Sequence, residues 1–229
     1  MADLTEALAD RFRDAGATVL AADEYRDTHD FLMISRDLGL DDVPDRRLDL
    51  LRLKQAEMLM QGGQYDELEY LLAEGLQSGE PDLEDRFRVI EARLETERGA
   101  TDEVVRINAA EPSVHLLRLR AAAYFGQGDW GNAKDVYAQV LDRMGNDLPE
   151  ADAVRLLLSA HRSGDKPLAL DLADRFPDLA ADPNWTRVAR GITQEVERPR
   201  ILTEASAEER LESVGEALDY LRELESLKK

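Results

Sequence analysis

The segment that decides the fold is residues 121–141, with the sequence AAAYFGQGDWGNAKDVYAQVL. It consists of two stretches of helix-forming residues on either side of Gly128-Asp129, a pair typical of a turn. Small and aromatic residues recur in both stretches at helical spacing, namely Ala121, Tyr124, Ala133 and Tyr137. The segment therefore predicts a helix, a turn and a second helix that packs back on the first.

Similar glycine turns recur along the chain between segments with helical apolar spacing. They lie at Gly63, Gly99, Gly128 and Gly164, in steps of 36, 29 and 36 residues. A helix-turn-helix repeat has about 34 residues. No segment alternates with period two for long enough to predict a strand. The spacing predicts an all-α fold of consecutive helix hairpins.

Residues 114–145 resemble a tetratricopeptide repeat, with weaker matching units around Gly63, Gly99 and Gly164. The matching positions are the small and aromatic residues and the turn given above. Leu117 departs from the family pattern, which often has Trp there, and the closing proline comes late, at Pro149. The resemblance implies a right-handed α-solenoid of antiparallel hairpins with capping helices at both ends. Among the weaker units, Ala56 and Ala92 stand at the small position of the first helix, and the Gly164 unit has Leu157, Ala160, Ala169 and Ala173 at the four positions.

Three segments are expected along the chain. Residues 1–45 predict an N-terminal helical cap that carries Leu4, Leu8, Phe31 and other apolar residues. Residues 46–182 contain the repeats, and residues 183–229 contain the C-terminal helices. Each hairpin has two apolar faces and must stack on its neighbours to bury them.

The last helix, residues 206–227, is amphipathic and opens with a capping box, Ser206 and Glu209. One face carries an apolar stripe, namely Leu211, Val214, Leu218, Leu221 and Leu224. The stripe covers only about two heptads, which is short for a coiled coil. Two interpretations remain open: a C-terminal cap on the solenoid, or a surface for oligomerisation or docking on a partner helix.

The charge balance narrows the class of partner. Lys and Arg total 29 against 49 Asp and Glu, a formal net charge of −20. Such a chain repels phosphate backbones and anionic lipid surfaces, so we expect no nucleic-acid partner and no membrane insertion. An alternative is that the acidity only maintains solubility or reflects a salty cytoplasm. No apolar run approaches the length of a membrane span and no secretory signal is apparent, which predicts a cytoplasmic protein or a soluble fragment of a larger one.

Catalytic and metal-binding motifs are missing from the sequence. There is no Cys, and the three histidines, His29, His115 and His161, are scattered. Nucleotide-binding glycine loops and nucleophile elbows are absent as well. We therefore expect no enzyme activity, no metal and no cofactor. An acidic cluster predicts a solvated connection that favours the following helix N-terminus, and it comprises Asp41, Asp42, Asp45 and Asp49.

The tetratricopeptide resemblance implies that the first helix of each hairpin lines a concave groove. Carried over by position, the groove includes apolar residues such as Leu53 and Val154. Its basic and aromatic residues are Arg86, Arg93, His115, Arg118, Phe125, His161 and Arg162. Guanidinium groups suit carboxylates, so the groove predicts an acidic or C-terminal peptide segment as its ligand. The alternative is that these arginines pair with Glu and Asp on adjacent helices.

The expected function is a non-catalytic protein–protein interaction scaffold or adaptor that binds a partner peptide or helix. Two alternatives share the fold. One is an acidic chaperone for an exported or assembling subunit. The other is a structural component that self-assembles through its C-terminal helix. The oligomeric state stays open.

Overall fold

The computed structural model describes residues 2–176, which contain helices and no strand. They belong to two compact units, residues 1–127 with α1–α7 and residues 128–229 with α8–α10. The helices are α1 (Ala2–Asp14), α2 (Thr18–Asp37), α3 (Asp45–Gln61), α4 (Tyr65–Glu74), α5 (Pro81–Glu97), α6 (Thr101–Arg106), α7 (Val114–Gln127), α8 (Trp130–Met144), α9 (Glu150–Arg162) and α10 (Lys166–Arg175). The all-α prediction is confirmed, whereas the boundaries at 45/46 and 182/183 stay a prediction.

Unit 1 is a series of helix hairpins. Its three hairpins are α1/α2, α3/α4 and α5/α6, and α7 contacts both α5 and α6. The first helices of successive hairpins contact each other, α3 with α5 and α5 with α7. The predicted hairpin arrangement is therefore present in this unit. In unit 2, α9 contacts both α8 and α10.

The predicted glycine turns end the first helix of each hairpin. Gly63, Gly99 and Gly164 have φ angles of 69°, 72° and 83°, in the left-handed region that glycine adopts without a steric penalty. The residue after each glycine donates its N–H to the carbonyl five residues earlier, as in Gln64 to Leu59 at 2.9 Å. This is the Schellman pattern, which satisfies helix carbonyls that would otherwise lack a donor. The same turn joins α1 to α2 at Gly16, where the sequence analysis had not placed one.

Small residues lie where helices cross. Six of the alanines identified from the sequence are fully buried, namely Ala56, Ala92 and Ala121 in unit 1 and Ala133, Ala160 and Ala169 in unit 2, whereas Ala173 is half-buried. A methyl side chain lets two helix backbones approach closely, and larger side chains fill the space to either side. These positions confirm the predicted small residues of the repeats.

A buried aspartate joins each of the second and third hairpins of unit 1 to the segment that leads into the next helix. The Asp49 carboxylate accepts the backbone N–H of Gln77 at 3.0 Å and of Ser78 at 2.7 Å. The Asp85 carboxylate accepts the N–H of Ser113 at 2.7 Å, just before α7. The prediction of a solvated acidic cluster was therefore wrong for Asp49, which is 0% exposed because it satisfies backbone donors of that loop.

Two residues predicted to line the groove are buried instead. Leu53 has no exposed surface, because α3 packs against α2, α4 and α5 and little of its circumference is free. Val154 of α9 is only 5% exposed. By contrast, the first hairpin leaves Leu4 and Leu38 largely exposed, and its role as a cap, which would require a polar outer face, stays a prediction.

Candidate protein-binding surface

The seven predicted groove residues are divided between the two units. Unit 1 carries Arg86 and Arg93 on α5, and His115, Arg118 and Phe125 on α7. Because α5 and α7 contact each other, these five residues lie on two neighbouring helices. Unit 2 carries His161 and Arg162 in the last turn of α9, where a cation also stabilises the helix C-terminus.

Several contacts between successive hairpins of unit 1 share one register. Several polar contacts join residues that are 28 or 29 positions apart, namely Gln77 and Ser78 with Asp49, Arg86 with Glu57, Arg98 with Glu69, and Ser113 with Asp85. At these positions a residue on one hairpin faces the residue about 29 positions later on the next, whereas Arg46, at the start of α3, contacts Glu80 and Asp82, 34 and 36 positions later. This register shows which side chains of α5 have partners across the helix interface.

Arg86 is held by its own chain. Its guanidinium donates to Glu57 Oε1 at 2.9 Å and so joins α5 to α3. The side chains of Arg86 and Glu57 are 52% and 36% exposed, so the pair contributes at most about 1 kcal/mol to stability. The internal pairing considered for the groove arginines is present at this position.

Arg93 has a different environment. It is exposed on α5, and no carboxylate lies within 4 Å of it among residues 2–176. The register of 29 residues places Ala122 opposite it on α7, and alanine offers no charge to pair with. Glu97 follows one turn later on the same helix, but a cation four residues before an anion is the less favourable order. Within residues 2–176, the guanidinium donors of Arg93 therefore have no carboxylate partner.

The α7 residues differ in accessibility. His115 is exposed in the first turn of α7, while Arg118 and Phe125 are half-buried. In unit 2, Arg162 is exposed and His161 is half-buried. The apolar stripe that was considered for oligomerisation lies outside the described residues, and it comprises Leu211, Val214, Leu218, Leu221 and Leu224.

The strongest titration effects in unit 1 occur between α1, α2 and α3. The hydroxyl of the buried Tyr25 donates to Asp10 Oδ1 at 2.6 Å, and Lys54 Nζ lies 3.2 Å from the same oxygen. Burial raises the pKa of Tyr25, and its hydrogen bond to Asp10 acts in the same direction. Burial also acts to raise the pKa of Asp10, but the hydrogen bonds from Tyr25 and Lys54 outweigh it and lower this pKa. The network joins three helices and is fully accounted for by packing.

The described residues contain neither a metal-binding cluster nor a membrane-spanning helix. Between residues 2 and 176, no group of three or more His, Asp or Glu side chains is arranged to hold a metal ion. Over the same residues, no helix combines the length and apolarity that a membrane crossing requires.

The most informative residues that the sequence analysis missed are Asp49 and Asp85. They are 36 positions apart, the same step as from Gly63 to Gly99. A polar residue that repeats with the period of the turns is the signal that could have identified them. This repeat of aspartates was overlooked because Asp49 stands next to other acidic residues in the sequence and was grouped with them.

Comparison with known proteins gives one solved structure. It is described as "Podosopora anserina putative kinesin light chain nearly identical TPR-like repeats", with 17% sequence identity, a TM-score of 0.49, and coverage of 86% of this chain and 97% of that one. No protein-family model matches the chain, and no curated protein matches it either. From their own helices, turns and buried alanines, residues 2–176 form an all-α fold with the helix hairpins that the resemblance to tetratricopeptide repeats predicts.

Proposed function

We propose that the protein is a non-catalytic interaction scaffold that binds an acidic segment of a partner protein on the exposed faces of α5 and α7. The observation that carries the proposal is Arg93, an exposed arginine whose guanidinium has no carboxylate within 4 Å in the described part of the chain. His115 is exposed on the neighbouring helix and Phe125 is half-buried there. Together they offer a cation, a polar ring and an apolar contact.

The charge of the chain makes this arrangement unusual. Acidic residues outnumber Lys and Arg by 49 to 29. Other arginines of unit 1 form ion pairs with these acidic residues. Arg46, Arg52 and Arg98 each hold a carboxylate within 2.8 Å, as examples. An arginine that stays unpaired in such surroundings retains its full capacity for a carboxylate from another molecule. Because a guanidinium can bind a carboxylate through two parallel hydrogen bonds, an acidic peptide is the ligand that fits best.

Stacked hairpins also provide a rigid surface for binding a peptide. Residues of α5 and α7 are fixed by the helix contacts between them and by the Asp85 to Ser113 hydrogen bond. A rigid surface loses little conformational entropy when a ligand binds. The proposed ligand is therefore an extended or helical peptide whose carboxylate contacts Arg93.

Selection from a random peptide library on the full chain tests the proposal. We expect the enriched peptides to contain Asp or Glu, and to bind Arg93→Glu at least about tenfold more weakly than the wild type, which corresponds to 1.4 kcal/mol. The affinity of the wild type should fall as the salt concentration rises, because an exposed ion pair is screened.

Arg11→Glu is the matched control. Arg11 is also exposed and has no carboxylate within 4 Å among the described residues, but it lies on α1. Both variants change the net charge equally, and both should melt within a few degrees of the wild type because neither arginine holds an ion pair. Equal loss of binding in both variants would mean that only the overall charge matters, and unchanged binding in Arg93→Glu would refute the proposed surface.

A further inference from the structure

A second surface of unit 1 contains a polar groove between α2, α3 and α4. Its cavity has a volume of about 480 Å³, within the usual range of about 300–1,000 Å³ for ligand sites. The residues that line it are Arg26, His29, Asp30, Arg52, Gln55, Asp66, Glu67, Tyr70, Leu71 and Glu74. None of them belongs to the surface formed by α5 and α7.

The two arginines of the groove are already occupied. Arg52 donates to His29 Nε2 at 3.2 Å, to the carbonyl of Gly75 at 3.1 Å and to Glu74 at 2.7 Å. Arg26 donates to Asp23 at 2.7 Å. Since their guanidinium groups serve contacts within the chain, neither is available as the main contact of an anionic ligand.

Four polar residues of the groove wall form no side-chain hydrogen bond within residues 2–176, and Gln55 is the buried one among them; the exposed ones are Asp66, Glu67 and Tyr70. Gln55 is only 8% exposed, and its side-chain amide forms no hydrogen bond with any residue between 2 and 176. Its amide atoms are not fully enclosed, so water in the groove can solvate them when no ligand is bound. The amide of Gln55 lines the cavity, where it presents both a donor and an acceptor to whatever enters.

The remaining residues determine which ligand fits. Four carboxylates line the groove, from Asp30, Asp66, Glu67 and Glu74, against two guanidinium groups. Arg52 lies 3.2 Å from His29 Nε2, and the other ring nitrogen, Nδ1, lies 3.0 Å from Asp30. The groove therefore has an excess of negative charge. The ring of Tyr70 is 72% exposed at its wall, and a planar cation can stack on it.

We infer that this groove binds an arginine side chain of a partner protein, with the guanidinium between the Tyr70 ring and the Asp66 and Glu67 carboxylates and the adjoining peptide group on the Gln55 amide. Arginine fits better than lysine because its planar group both stacks on an aromatic ring and forms paired hydrogen bonds with carboxylates. A primary amide can pair with a peptide group through its N–H and its C=O together. The inference does not depend on the proposed role of Arg93.

Titration of the full chain with the peptide acetyl-Gly-Arg-Gly-amide tests the inference. We expect saturable changes in the NMR signals of the Gln55 side-chain amide and the Tyr70 ring, with a dissociation constant in the millimolar range or below. The same peptide with citrulline in place of arginine has nearly the same shape without the charge, and we expect it to bind at least about tenfold more weakly.

Gln55→Leu separates binding from folding. The leucine removes an amide that has no partner, so the variant should melt at the same temperature as the wild type or higher, yet bind the arginine peptide at least about tenfold more weakly. Gln61→Leu, at the exposed end of the same helix, is the matched control and should bind normally. Absence of a saturable change, equal binding of the citrulline peptide, or full binding by Gln55→Leu would overturn the inference. Arg93→Glu should leave this binding intact, and loss of binding there would also overturn it.

Discussion

We expect Asp49→Ala to lower the free energy of unfolding of unit 1 by about 2–3 kcal/mol. The substitution removes a carboxylate that is fully buried in α3 and that accepts the backbone N–H groups of Gln77 and Ser78. These two donors lie in the loop between α4 and α5, so the contact joins one hairpin to the next.

The magnitude follows from two opposing effects. A hydrogen bond to a charged acceptor contributes about 1.5–3 kcal/mol, and two donors lose that acceptor. Against this, the variant no longer has to keep a carboxylate out of water, and water can reach the backbone at the exposed Gln77. The net loss in the free energy of unfolding is therefore about 2–3 kcal/mol. A typical exposed ion pair contributes only about 0.2–1 kcal/mol.

Amide hydrogen exchange measured by NMR is the most specific assay, complemented by urea denaturation. The amide protons of Gln77 and Ser78 should exchange about 30- to 150-fold faster in the variant, the factor that corresponds to 2–3 kcal/mol. Asp49→Asn should show a smaller loss, because its amide oxygen can still accept one of the two N–H groups.

Asp45→Ala is the control, since Asp45 belongs to the same acidic run but is exposed, and within the described residues its one ion pair is with Arg36. We expect it to cost less than about 1 kcal/mol. If Asp49→Ala were no more destabilising than Asp45→Ala, or if exchange at Gln77 and Ser78 did not change, the structural role assigned to the buried aspartate would be refuted.

Two further predictions concern the turns and the Tyr25 network. Gly99→Ala should destabilise the protein by about 1–2 kcal/mol, because Gly99 has a φ of 72°. Gly126→Ala should instead stabilise it by up to about 1 kcal/mol, because Gly126 lies inside α7 and nothing lies within 4 Å of the added methyl group. Thermal melts of both variants check this. Tyr25→Phe should cost about 1–2 kcal/mol at neutral pH, because it removes the hydrogen bond to Asp10. The hydrogen bond helps to hold the pKa of Asp10 below its ordinary 3.8, so its contribution is present above that pH and is lost as the pH falls through the lowered pKa. The difference between wild type and variant should therefore narrow in urea melts as the pH falls below 3.8; a constant difference would contradict this account.

The turns and the small residues could be predicted from the sequence because single residues encode them. Gly63, Gly99 and Gly164 adopt left-handed backbone angles that other residues avoid, and Ala56 and Ala92 leave room for a crossing helix. These requirements are local, so periodic spacing was enough to locate them. The same reasoning identified the hairpins correctly.

The role of charged side chains could not be predicted in the same way. Asp49 and Arg86 are polar residues of similar helices, yet one is buried against a loop and the other pairs with Glu57 at the surface. The outcome depends on which residue lies about 29 positions away in the neighbouring hairpin. The environment of Gln55 could not be predicted either, because residues of α2 and α4 create it together. Sequence spacing within one helix carries none of this information.

The aspartates at 49 and 85 also bear on how unit 1 unfolds. Each carboxylate belongs to one hairpin and satisfies the backbone that leads into the next helix, so part of the stability of each hairpin exists only while its neighbour is folded. In a linear array of repeats, such nearest-neighbour terms determine whether the array melts in one step or in several. Weakening one of them should divide a single cooperative transition into two. Residues 1–127 would then unfold from the broken junction, with the hairpins on either side losing their structure at different denaturant concentrations.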